Sequence, residues 1–175
     1  MNLGVNNMRV QTDIYNVYKF DELKKEVQEK VLEKFRQEEE FYFLADDITE
    51  ELLQELRDNK ITYNETPKVY FSLSYCQGDG VMFEGRVYWK SYTIDIKHSG
   101  NYYHYNSKEL DIYSTKTDKQ AKASVYADFN DVYVDICKSL ERSGYSIIED
   151  TLKDENMIDM INTNDYEFTE NGRQV

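Results

Sequence analysis

The sequence predicts an α+β fold: an antiparallel sheet with helices packed mainly on one face, in a single domain. Three observations predict it. Two amphipathic helical patterns come first. A block of alternating apolar residues, punctuated by Gly78-Asp79-Gly80, follows. A long helical pattern then closes the larger part of the chain. Runs of strands segregated from runs of helices give an antiparallel sheet with helices on one side. A chain of 175 residues is of one-domain size. Residues 1–12 read as a flexible arm and residues 13–175 as a single α+β domain.

Ile14, Val17, Tyr18 and Phe20 suggest a short first strand. Asp21 is a plausible N-cap for a helix from Glu22, in which Leu23, Val27, Val31 and Phe35 recur every four residues. Asp47 followed by Glu50 resembles a capping box for a second helix, with Ile48, Leu52, Leu53 and Leu56 facing inward. Pro67 ends a connector. Val69–Cys76 and Val81–Trp89 then alternate as two strands, and Asp-Gly between them signals a hairpin with a type I′ turn. The additional Gly78 implies a bulge or a close backbone approach. Tyr92–Lys97 and Glu109–Ser114 read as further strands around a polar, aromatic connection, His98 to Asn106. From Asp118, the residues Ala121, Val125, Phe129, Val132, Ile136 and Leu140 keep helical spacing, and Gly144 suits the C′ position. Asp154 caps a shorter helix holding Ile158 and Ile161. Tyr166 to Thr169 reads as a last strand entering an Asn171-Gly172 turn.

Composition excludes several classes of function. No run approaches the ~20 apolar residues of a membrane helix, and Met1 to Gln11 is too polar for a signal peptide. Cys76, on a strand, and Cys137, on a helix, read as two buried thiols rather than a bridge, which suits a reducing cytoplasm. The net charge is −13. Residues 1–59 carry 8 basic and 15 acidic side chains, residues 60–125 carry 9 and 7, and residues 126–175 carry 4 and 12. Such a chain is not expected to bind free DNA or RNA through a cationic surface. It suits a protein that itself holds nucleic acid, since complementary potential speeds and orients association.

The candidate chemistry is sparse. His98 and His104, with Lys97, could supply a general base, a general acid and a phosphate clamp for metal-free RNA cleavage, if a tight hairpin brings them together. Two solvated loop histidines are the simpler reading. Gly78-Asp79-Gly80 could form a nest of N–H groups for an anion, but the Asp79 carboxylate would repel phosphate. No cofactor is implied, and no metal motif is present; Asp79 with one histidine would be an unspecific metal site. Residues 37–56 hold Glu38, Glu39, Glu40, Asp46, Asp47, Glu50, Glu51 and Glu55 with no Lys or Arg. Carboxylates at i,i+4 lie ~5–6 Å apart, on the order of the phosphate spacing along a DNA strand. Glu50, Glu51 and Glu55 are therefore candidate protein-binding residues, the alternative being a plainly solvated acidic face. The run Glu149, Asp150, Asp154, Glu155 and Asp159 allows the same two readings. Tyrosine is in excess, at 16 residues. Tyr102, Tyr103 and Tyr105 cannot all face inward on one short strand, so at least one is expected at an interface.

Three blocks carry a resemblance when taken together: Tyr18-Lys19-Phe20-Asp21-Glu22-Leu23, Phe71 to Gly85 around Cys76-Gln77-Gly78-Asp79-Gly80, and Asn164 to Gly172 around Tyr166-Glu167-Phe168-Thr169. They resemble a family of small phage and prophage proteins, some called antitoxin-like and a subset acting as type II anti-CRISPR proteins. Many members carry Ser where this chain has Cys76. The resemblance implies counter-defence in a host bacterial cytoplasm. The implied partner is a nucleic-acid-binding host protein, a type II CRISPR effector with its guide RNA, inhibited by binding. Trimming of the guide RNA and an antitoxin-like regulatory role are the alternatives. The resemblance carries over no catalytic residue.

Overall fold

A computed structural model describes Ile14 and residues 16–175. The expected arm at 1–12 and the polar Met1–Gln11 segment lie outside the described residues. The fold is α+β, with an antiparallel five-stranded sheet. It contains a 3-10 turn at Phe20–Glu22, then α1 (Lys25–Glu38), α2 (Leu44–Asp58), β1 (Ile61–Tyr63), β2 (Lys68–Ser72), β3 (Gly80–Trp89), β4 (Tyr92–His98), β5 (Lys108–Ser114), α3 (Ala123–Thr151) and α4 (Asp154–Thr163). The chain divides into two compact units. One comprises the described residues up to Glu39 together with Leu152–Val175, the other Glu40–Thr151.

In the smaller unit, Phe20, Leu23, Val31, Leu32, Met157, Ile161 and Phe168 form the core. Two expectations change here. Asp21 does not cap α1. It lies in the 3-10 turn, where Glu22 accepts the Lys19 N–H at 2.8 Å, and α1 starts only at Lys25. The anchoring of Phe20 and Leu23 in the core holds this turn apart from the helix. The expected first and last strands shrink to isolated bridges, Tyr18 to Phe168 and Phe168 to Gln174. The Asn171-Gly172 turn does form: Gly172 N–H meets the Thr169 carbonyl at 2.9 Å.

In the larger unit β3 is the central strand. Its first half pairs with β2 (Val69 opposite Phe83, Tyr70 opposite Met82), and its second half pairs with β1 and β4 (Val87 opposite Ile94). Period-2 alternation sends Phe83, Val87 and Trp89 to one face. There α3 packs, with Tyr133 against Phe83 (ring centroids 4.6 Å) and Phe129 against Trp89 (5.4 Å). Helix α2 buries Ile48, Leu52 and Leu56 completely. Met82 leaves on the opposite face and is also fully buried. Tyr103 lies on that face, stacked on Tyr70 at 5.3 Å.

Beyond the β3–β4 ladder, Phe83 keeps its backbone satisfied through a side chain. Its N–H donates to Tyr133 Oη (3.2 Å), and the same hydroxyl donates to its carbonyl (3.0 Å). The outer margin of β5 is closed at its C-terminal end, residues 112–114, by the chain that follows it. Ala121 N–H donates to the Ile112 carbonyl, Ile112 N–H donates to Tyr126 Oη, and Ser114 N–H donates to the Lys119 carbonyl.

Other differences from the expected elements have local causes. Asp47 is not a cap, because α2 already begins at Leu44; it lies in the first turn, where a carboxylate suits the helix dipole. Strand β1 is too short to show a period. Gly144 does not end a helix. It sits inside α3, where an added Cβ would stand 2.5 Å from Leu73 Cδ1 and 3.2 Å from Ile48 Cδ1. Close packing of α3 on its neighbours, rather than chain reversal, requires a glycine there.

Replacing Tyr133 by Phe leaves both Phe83 backbone groups without a partner in a dry site. We expect a loss of about 1–3 kcal/mol, read as a lower urea midpoint with an unchanged slope.

Candidate functional site

Three features of the larger unit carry polar chemistry: the β2–β3 loop, the β4–β5 connection and the outer face of α2.

The β2–β3 connection runs from Leu73 to Asp79, so the expected two-residue Asp-Gly turn is replaced by a longer loop. The Asp79 carboxylate organises it. Oδ2 accepts the backbone N–H groups of Ser74 (2.7 Å) and Cys76 (3.0 Å) and the hydroxyl of Tyr145 in α3 (2.7 Å). Oδ1 accepts the hydroxyls of Ser72 (3.0 Å) and Ser74 (3.2 Å) and the Cys76 thiol (3.2 Å). Burial alone would raise the Asp79 pKa. The Cys76 N–H, the Tyr145 hydroxyl, the Ser74 N–H and the Cys76 thiol outweigh it and hold the carboxyl well below its usual range. The loop is therefore an anion nest filled by its own side chain. Burial, followed by the bond to Asp79, pushes the Tyr145 phenol up to about 12.

Tyr75 adopts φ +56° and lays its ring on Tyr145 at 4.6 Å, with its hydroxyl donating to Glu149. Both thiols are free, but only Cys137 is buried, and burial pushes it up to about 12. Cys76 is exposed, because it lies in the loop rather than on a strand.

The glycines of this loop support the β4–β5 connection. A Cβ on Gly78 (φ +100°) would stand 3.0 Å from the Tyr102 ring, and one on Gly80 would stand 2.7 Å from His104 Cδ2. The close approach expected at Gly78 is therefore present, and its partner is the tyrosine-rich segment. Gln77, Gly78, Asp79, Tyr102, His104 and Asn106 line a groove of ≈ 520 Å³ between the two loops. Tyr102 is 62% exposed and Tyr103 42%, while Tyr105 is half-buried with its ring 3.8 Å from that of His104.

His98, His104 and Lys97 do not converge. Lys97 and His98 are consecutive in β4, so their side chains leave on opposite faces. Lys97 is paired with Asp111 at 2.8 Å. His98 Nε2 meets the Tyr102 carbonyl oxygen at 3.2 Å, and His104 Nδ1 accepts the Asn106 N–H at 3.1 Å. Each imidazole is turned to its own loop backbone. Lys108 has its ammonium 4.8 Å above the Tyr133 ring, donating to the Tyr105 carbonyl, and burial lowers its pKa. Among the described residues no cluster of three His, Cys, Asp or Glu side chains is set to hold a metal ion, and no helix is long and apolar enough to cross a membrane.

On α2, Glu50 is exposed, and Glu51 and Glu55 are half-buried. Asp47, Glu50, Glu51 and Gln54 line a groove of ≈ 660 Å³ with Ser143 and Ile147 of α3. Arg57 lines it too, donating to Gln54, so one cation interrupts the row. Among the described residues, Asp46, Asp47, Glu50, Glu51 and Glu55 form no ion pair. Elsewhere Asp95 is paired with Arg86, Asp111 with Lys97, and Asp154 with Arg36, while Glu84 and Glu109 of the sheet form no ion pair among the described residues.

No protein-family model matches this chain, and the comparisons with curated proteins and with solved structures found no match.

Because Asp79 titrates below its ordinary range when folded, its contribution to stability is complete above about pH 4 and declines as the pH falls below that. Asp79→Asn is expected to lose about 1–2 kcal/mol at neutral pH and, in acid denaturation, to show a shallower fall in stability between about pH 4 and about pH 2. Equal slopes for the two proteins would contradict this account.

Proposed function

We propose that this chain is a phage-encoded counter-defence protein acting in a host bacterial cytoplasm. It inhibits a nucleic-acid-guided nuclease of the type II CRISPR class by binding it through the outer face of α2 and the tyrosines of the β4–β5 connection. The observation that carries this reading is the run of carboxylates on α2 that form no ion pair among the described residues. Asp95 and Asp111 on the sheet are matched by cations, whereas Asp47, Glu50 and Glu51 of α2 stand in no ion pair beside a groove that Arg57 also lines. Such a row costs self-repulsion in the free protein and is relieved when it meets a cationic cleft. Exposed Tyr102 and Tyr103 add rigid aromatic area of the kind that anchors interfaces. The alternative, trimming of guide RNA, has less support. Lys97 is held by Asp111, and neither imidazole is aligned with the other as an acid–base pair.

One gel tests both readings. The protein is incubated with a guide-loaded type II nuclease, and complex formation and guide length are read together. We expect a complex that weakens with salt and a guide of unchanged length. Glu50→Lys, Glu51→Lys and Glu55→Lys combined should slow association roughly tenfold or more. Binding indifferent to charge reversal removes the proposed surface, and a shortened guide favours the ribonuclease reading.

A further inference from the structure

We propose that the 99–107 connection is a pH-sensitive clasp, whose His104 side releases on acidification while its His98 side holds. The inference goes beyond the proposed function and does not depend on it. It rests on what each imidazole is obliged to do. The Asn106 backbone N–H can only donate, so His104 Nδ1, 3.1 Å away, is an unprotonated acceptor and the ring proton sits on Nε2. The Tyr102 carbonyl can only accept, so His98 Nε2, 3.2 Å away, carries a proton.

A second proton therefore has opposite effects at the two rings. On His98 it enters at Nδ1 and leaves the contact with Tyr102 in place, now charge-assisted. On His104 it enters at Nδ1 itself and turns the acceptor into a donor facing another donor. The bond to Asn106 is lost. The turn it supports is short: Ser107 N–H donates to the His104 carbonyl at 2.7 Å, and Ser99 N–H donates to the Ser107 carbonyl at 2.8 Å. His104 also lies over Gly80, and it lines the groove shared with Asp79 and Asn106.

The charged groups around the clasp come from four elements. Asp79 lies in the β2–β3 loop with its oxygens occupied by six donors. Lys108 of β5 donates to the Tyr105 carbonyl, and Lys138 of α3 stands 5.4 Å from the Tyr105 ring, both on the His104 side. Glu84 of β3 accepts the His98 N–H, and Glu109 of β5 accepts the Ser99 hydroxyl, both on the His98 side. Histidine is the side chain whose charge ordinarily changes between about pH 5 and 8, and these two are the only histidines of the chain.

The test is amide hydrogen exchange of the full ¹⁵N-labelled chain at about pH 7.5 and about pH 5, corrected for intrinsic rates, with both imidazoles followed through their own ring signals. Protection at Asn106 should fall roughly tenfold, the equivalent of one net hydrogen bond, as His104 titrates. Core amides such as Val87 should keep theirs. His104→Asn places a non-titrating carbonyl oxygen where Nδ1 stood and should keep Asn106 protected at both pH values. His98→Gln preserves the donor and should leave the acid response of Asn106 intact. The proposal is overturned by any of three results: unchanged Asn106 protection while His104 titrates, a His104 that stays neutral down to about pH 5, or the same acid loss in His104→Asn.

Discussion

A half-buried carboxylate is held as an anion when donors fill its lone pairs, and at Asp79 neutral groups fill them. Ser72, Ser74, Cys76 and Tyr145 all donate to it, and no lysine or arginine takes part. The geometry of the surrounding region follows. The backbone from Leu73 to Asp79 curls so that two of its N–H groups point at one oxygen. Tyr145 is drawn to the same oxygen, which fixes the loop against α3. Gly78 and Gly80, on either side, then present a floor low enough for the Tyr102 and His104 rings to rest on. Because no cation neutralises the site, the loop keeps its negative charge and has no vacancy for phosphate.

Strand β3 carries the second constraint. Val81, Met82 and Phe83 are consecutive and all fully buried, which a strand achieves only when both faces are covered. The helices cover the face of Phe83. The opposite face has no helix in this unit, and Tyr103 stacked on Tyr70 lies there instead. The aromatic richness of the β4–β5 connection thus has a structural share as well as an exposed one: Tyr103 and Tyr105 pack, and Tyr102 projects furthest into solvent.

Much of this architecture was legible in the residues because it is periodic. The alternation of β3, β4 and β5 and the spacing of Val125 to Leu140 in α3 each announce an element. What was not legible depends on partners far away in the chain. Asp79-Gly80 signals a tight turn, and nothing near it reveals that Tyr145 will claim the carboxylate. Cys76 looked like a strand residue because the strand pattern runs into the loop without a break. Gly144 read as a helix end because its reason for being glycine, the side chains of Leu73 and Ile48, belongs to other elements. The histidine pair was near in sequence, but the alternation of β4 and the bonds of each ring to its own loop keep the groups apart. Of the candidate surface, the acidic row of α2 was readable as composition; its lack of ion pairing and the intrusion of Arg57 needed coordinates.

The margin of β5 has a consequence for assembly. The backbone groups of Ile112 and Ser114 that would otherwise template another strand are already engaged by Ala121, Tyr126 and Lys119. That end of the rim, residues 112–114, is self-terminated. At Ile112 and Ser114 a visiting peptide could extend the ladder only after displacing the 115–121 crossover, so recognition at that end of the strand falls to side chains more than to main-chain pairing.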